Sequence, residues 1–105
     1  MVASYAYMPQ PRWESGERRI AAMPLFMDHH KGVEGLTAEA VAEAHKKDLE
    51  IQDEYGVKYH RYWFNEETGD VFCLAEAPNK EAAEAVHRDA HGLLADEIIE
   101  VEEGS

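Results

Sequence analysis

One cysteine, few basic residues and no long apolar run set the first limits on this 105-residue chain. A single cysteine, Cys73, excludes an internal disulfide and fits a reducing compartment. It lies within "DVFCLAEAP", where a lone thiol reads as a small buried hydrophobe. No stretch approaches the roughly 20 apolar residues that span a bilayer, and no apolar segment follows Arg18 and Arg19 to make a secretory signal. The expectation is a cytoplasmic protein with no membrane partner. Lysine and arginine number 10 against 22 aspartates and glutamates, a formal net charge of -12. Residues 1–22 hold three arginines and two glutamates, so residues 23–105 carry -13. Such a surface repels phosphate backbones and attracts cations, which argues against a nucleic-acid partner. Acidic surfaces also serve solubility alone, so the charge names no ligand.

Hydrophobic residues make up 45% and charged residues 30%, the balance of a globular domain. Residues 1–22, with Pro9, Pro11 and Gly16 and no sustained period, read as a loosely ordered extension, and residues 23–105 as one domain. "MPLFMDHH" reads as a first strand and "KGVEG" as a loop. Thr37 is a candidate N-cap for "AEAVAEAHKKDLEIQDEY", a run of helix formers that stops at Gly56. "VKYHRYWF" reads as a second strand. "NEETGD" is a hairpin turn with Gly69 where positive φ is needed, and "VFCLAEA" is the third strand. Pro78 ends it, Asn79 caps "KEAAEAVHRDAH", Gly92 closes that helix, and "DEIIEVEE" is a fourth strand.

The order β-α-β-β-α-β, with right-handed crossovers, predicts an α+β, ferredoxin-like domain. Its four-stranded antiparallel sheet would carry both helices on one face. If Tyr62, Phe64, Phe26 and Ile99 point away from the helices, they form an apolar surface too large to leave wet. Pairing two sheets in a homodimer would cover it.

In this topology the second helix ends where the first strand ends. His87 and His91, four residues apart on one helix face, would therefore meet Asp28 and His30, which point to one side of the strand while His29 points to the other. His45 lies about two turns into the first helix. With Asp48 it sits in or against the apolar stripe of Val41, Ala44, Ile51 and Tyr55, where a polar group needs a partner. His87, His91, His30, Asp28 and His45 form the pool of candidate metal ligands. A plainer reading stays open: histidines in a last helical turn are favoured by the helix dipole without any metal. His45 and Asp48 could likewise be only a satisfied core hydrogen bond.

"MPLFMDHH", "LTAEAVAEAHKKDLEIQDEYGVKYHRYWF" and "VFCLAEAPNKEAAEAVHRDAHGLLADEIIEVEE" resemble a small actinobacterial-type family of nickel-binding proteins. The likeness runs from residue 23 to about 102. "AH..DL", "YGV.Y..YW", "VFCL.EAP" and "VH..AHG" are its distinctive pieces, and His29 is a departure, standing where Arg or another polar residue is expected. The resemblance implies a ferredoxin-like dimer that binds and sequesters nickel. It assigns no individual ligands. Imidazole suits nickel, zinc, copper and iron alike, so the metal rests on the resemblance. Two other readings compete. One is a dimeric α+β barrel enzyme catalysing oxidation or isomerisation in a helix–sheet pocket lined by Tyr62, Trp63, His45, Asp48 and Cys73. The other is an interaction module that binds a partner through the sheet.

Overall fold

The computed structural model describes residues 23–104, so the extension read over residues 1–22 lies outside the described residues. The elements follow the expected order. They are β1 (Leu25–His30), α1 (Ala38–Ile51) with a 3-10 turn at Gln52–Tyr55, β2 (Lys58–Asn65), β3 (Asp70–Glu76), α2 (Lys80–Ala90) and β4 (Glu97–Val101). The sheet order is β2-β3-β1-β4, and every neighbouring pair is antiparallel. This is the ferredoxin-like arrangement.

Both helices begin as their sequences require. The Thr37 hydroxyl accepts from the Ala40 N–H at 3.1 Å, and the Asn79 side chain accepts from the Ala82 N–H at 2.8 Å, each satisfying a donor left over in the first turn. The β2–β3 hairpin turns through Gly69 at φ 80°. That glycine also receives the β1–α1 loop: the Val33 N–H donates to the Gly69 carbonyl at 2.9 Å. A Cβ on Gly69 would lie 2.7 Å from the Val33 nitrogen, so no larger residue fits without backbone movement.

The core lies between the sheet and the helices. Phe26 of β1, Val41 of α1, Tyr59 of β2, Val71, Cys73 and Ala75 of β3, and Ala83 and Val86 of α2 are its buried members, with Val57 and Ala77 from the connecting segments. A bulge at His60 decides which aromatics join it. Tyr59 pairs with Ala75, but Arg61 pairs with Leu74 and Tyr62 with Cys73. The extra residue shifts the alternation, so Tyr59, Tyr62 and Phe64 all fall on the helix side, and Arg61 and Trp63 on the other. The expected outer face is corrected accordingly. Phe26 is buried under the helices, Tyr62 and Phe64 share its side, and of the four aromatic or aliphatic residues expected outside only Ile99 is there. The outer face is apolar nonetheless, because the register places Met27 between Leu74 and Ile99, and Trp63 beside Phe72. Trp63 is 47% exposed, Phe72 36% and Ile99 56%.

Candidate metal centre

Strand alternation turns Asp28 and His30 of β1 inward beside Phe26, and both are buried. Cys73 is the register partner of Asp28 on β3. Above them, α2 lowers His87 from its last turn, α1 contributes Asp48, and His91 stands at the C-cap of α2. Asp28, Asp48 and His87 are each no more than 2% exposed. Four elements thus converge on one polar knot in an otherwise apolar core.

His87 is its centre. Its Nε2 lies 2.9 Å from Asp28 Oδ2, and its Nδ1 lies 3.0 Å from Asp48 Oδ1. Burial alone would lower the His87 pKa, but hydrogen bonds to the two carboxylates and their charges outweigh it and push it up to about 9. At neutral pH the ring is therefore an imidazolium donating from both nitrogens. Burial would raise Asp28, but contacts with His30 and His87 hold its carboxyl well below the usual range. Asp48 is lowered in the same way: burial opposes the shift, and His87 and His91 drive it.

The periphery completes the network. His91 Nε2 lies 3.1 Å from Asp48 Oδ1, while its Nδ1 accepts from the Leu93 N–H at 3.1 Å. Accepting at Nδ1 requires a bare lone pair there, so the His91 proton is on Nε2 and points at Asp48. The Tyr59 hydroxyl is 3.2 Å from Asp28 Oδ2, 3.1 Å from the Ala83 carbonyl and 3.1 Å from His87 Nε2. Burial first, then the Asp28 charge, pushes the Tyr59 and Cys73 pKa values up, so both keep their protons. His30 Nε2 lies 3.3 Å from Asp28 Oδ1 and 3.4 Å from His87 Nε2. The Oδ1 contact is within ion-pair range but outside hydrogen-bond geometry, so this buried oxygen has no hydrogen-bond partner.

Two groups of donors could hold a metal: Asp28, His30, Cys73 and His87, and Asp48, His87 and His91. Within each group one donor atom per residue lies within 4.8 Å of the others. Tetrahedral bonds of about 2.1 Å would set donors about 3.4 Å apart, so modest contraction would close a shell. Charge points the same way, since one imidazolium faces two buried carboxylates and Asp28 Oδ1 accepts no hydrogen bond.

Four of the five ligand candidates, Asp28, His30, His87 and His91, are brought together. His45 is not among them. It stands across the cavity that His30, His87 and His91 also line, with its ring 4.8 Å from that of Tyr62 and its Nδ1 buried without a partner. Burial, opposed by Asp48 and aided by His87, lowers its pKa. Asp48 therefore pairs with His87 and His91, not with His45. Its position on the apolar stripe signalled a buried partner but could not say which. His29 points outward, stacks on Phe72 at 4.1 Å and meets Asp70 at 2.9 Å. Tyr59 went unnoticed because nothing in "VKYHRYWF" marks the bulge.

The cavity, of about 180 Å³, lies between α1 and the sheet. Tyr62, His45, Asp48 and Cys73 line it together with Leu36, Val41, Ala44 and Leu93, and His30, His87 and His91 of the donor cluster form its inner wall. Trp63 does not, because the bulge turns it to the outer face.

Fold and site define a small α+β protein of ferredoxin-like topology with a buried cluster of potential metal ligands under its helices. The chain belongs to the family of nickel responsive proteins described as SCO4226-like, whose sequence profile matches residues 26–101. The crystal structure of SCO4226 from Streptomyces coelicolor A3(2) is similar, at 37% identity and a TM-score of 0.72. The likeness covers 77% of this chain and 99% of that one. No curated protein matches the chain.

Proposed function

We propose that this protein binds a divalent transition metal, nickel by the sense of its family, and holds it without catalysing a reaction. One observation carries the reading: the buried Asp28 Oδ1, which accepts no hydrogen bond although the imidazoles of His30 and His87 crowd the same carboxylate. In this reading Asp28, His30 and His87 supply the ligands, with the Cys73 thiol beside them. Asp48 and His91 close the other side of the His87 ring. His45, on the cavity wall, has no ligand role.

Imidazole must be bare at the ligating nitrogen, so for His87 to serve as a ligand its Nε2, which faces Asp28 Oδ2, would have to give up its proton to solvent, while Nδ1 keeps its proton toward Asp48 Oδ1. Buried nitrogen and carboxylate donors suit nickel, and they suit zinc and copper as well; the family supplies the preference. Sequestration fits a site closed off from water on most sides. A homodimer formed through the outer sheet face would cover Trp63, Phe72 and Ile99.

Calorimetric titration with nickel tests the reading, comparing the parent with Asp28→Asn, His30→Ala and His91→Ala. Loss of a ligand should weaken binding at least about tenfold in Asp28→Asn and His30→Ala. Unchanged affinity in both would remove the buried cluster as the site. Affinity in the parent should climb with pH up to about 9, where His87 gives up its proton, and be much weaker at pH 5.5.

The cavity beside Asp48 favours a second reading, a small-molecule pocket in an enzyme of the dimeric α+β barrel kind. Its lining holds His45, Asp48 and Tyr62. Turnover of any substrate by metal-free protein would support it over storage of a metal.

A further inference from the structure

One face of α1 runs from solvent down to the donor cluster. Ala40 is exposed, Ala44 and His45 are half-buried, Asp48 is buried, and all four line the cavity of about 180 Å³. At 1.5 Å per residue, the descent from Ala40 to Asp48 covers about 12 Å of the helix axis. The facing walls follow the same gradient. Glu34, Gly35 and Leu93 are exposed at the outer end, while His30, Cys73 and His87 are buried at the inner end. The cavity is therefore a passage from the surface to the donor groups. His45 stands partway along it, its ring 4.8 Å from that of Tyr62. It belongs to neither donor group, and its buried Nδ1 has no hydrogen-bond partner among the described residues. A polar group left unsatisfied at that depth costs stability.

We propose that this passage is the route by which a divalent metal ion enters and leaves the buried cluster, with His45 as a transient ligand on the way. This role presupposes the metal centre proposed above and adds how the ion reaches it. Asp28, Asp48 and His87 are each no more than 2% exposed, so a hydrated ion needs a channel to meet them. Stripping a divalent ion of its water before any protein donor is at hand is too costly, so donors must replace waters one at a time. The passage has room for the ion together with several waters. Glu34 places a carboxylate at the mouth, and the acidic chain draws cations toward it. His45 offers the first imidazole, less than one helical turn before Asp48. Asp48 and His91 come next, then His87. His45 has no place in the final shell, and its contact ends when the ion moves inward.

A contact made only in transit lowers the barrier seen from both sides, so losing it slows uptake and release by the same factor and leaves affinity unchanged. A ligand of the bound ion behaves differently: its loss weakens affinity, chiefly by speeding release. Two measurements on the full chain separate these cases. Calorimetry gives the nickel affinity, and absorbance of a chromophoric chelator, extrapolated to zero chelator, gives the rate of nickel release. His45→Leu should slow release at least about tenfold, the scale on which one metal partner acts, and keep the dissociation constant within about twofold. His45→Gln serves the same comparison if the leucine variant does not fold. Ala40→Phe, at an exposed position on the rim, should narrow the mouth and slow release as well, again at unchanged affinity. Release at the parent rate in either variant, or affinity lost on replacing His45, would overturn the proposal and leave the metal centre standing. A parent that takes up no nickel would overturn both.

Discussion

His87 holds a proton that two carboxylates keep in place, and that proton links folding to pH. Its folded pKa of about 9 lies above the ordinary histidine value of 6.5. A raised pKa contributes stability that is fully present below about 6.5 and is lost as pH climbs through 9. Asp28 and Asp48 are lowered in the fold, so their share is present above the usual carboxylate range and lost only in stronger acid. Both describe the same contacts and are counted once. Metal-free protein should therefore be most stable between about pH 4 and 6.5. It should lose on the order of 3 kcal/mol between pH 6.5 and 9.5, from the size of the His87 shift. Thermal melts across that range check it. His87→Gln should start lower and melt almost independently of pH from 6.5 to 9.5; a parent-like slope in that variant would mean another group carries the effect.

Elements meet through a few close approaches, and Gly69 is the tightest. It turns the β2–β3 hairpin at φ 80° and touches the backbone of the β1–α1 loop, whose Leu36 lines the cavity. Gly69→Ala adds both a strained backbone and a clash, and should cost about 1–3 kcal/mol. Chemical denaturation would measure it. A change below about 0.5 kcal/mol would mean the loop moves freely away from the hairpin. The hairpin and both helix caps were legible in sequence, because turn glycines and capping side chains act on neighbours within three residues. The bulge at His60 was not, and it moved Tyr62 and Phe64 to the helix side.

Across the whole molecule, an acidic chain of -12 presents an apolar sheet face with Trp63, Phe72 and Ile99 exposed. No helix among the described residues is long and apolar enough to cross a membrane. The homodimer proposed through this face should fall apart when a charge is placed at its centre. Trp63→Lys and Ile99→Lys are expected to sediment as monomers at concentrations where the parent is a dimer, while Phe64→Lys, on the other side of the sheet, should leave the dimer intact. A monomeric parent would dispose of the sheet-pairing arrangement altogether.

Sequence by itself determined the order of the elements, the ferredoxin-like topology, the inward turn of Asp28 and His30, and the shared end of β1 and α2. These follow from periods of two and 3.6, from capping residues, and from the handedness of crossovers, all of which are local or generic. Only the tertiary structure decided that His87 joins Asp28, 59 residues away, to Asp48, 39 residues away. It also left His45 outside both donor groups, on the wall of a cavity that Asp48 and His87 line as well. Such partnerships depend on how far two helices sit above a sheet and how each is rotated, which is the outcome of packing every core side chain at once. No spacing within one segment encodes that distance or that rotation.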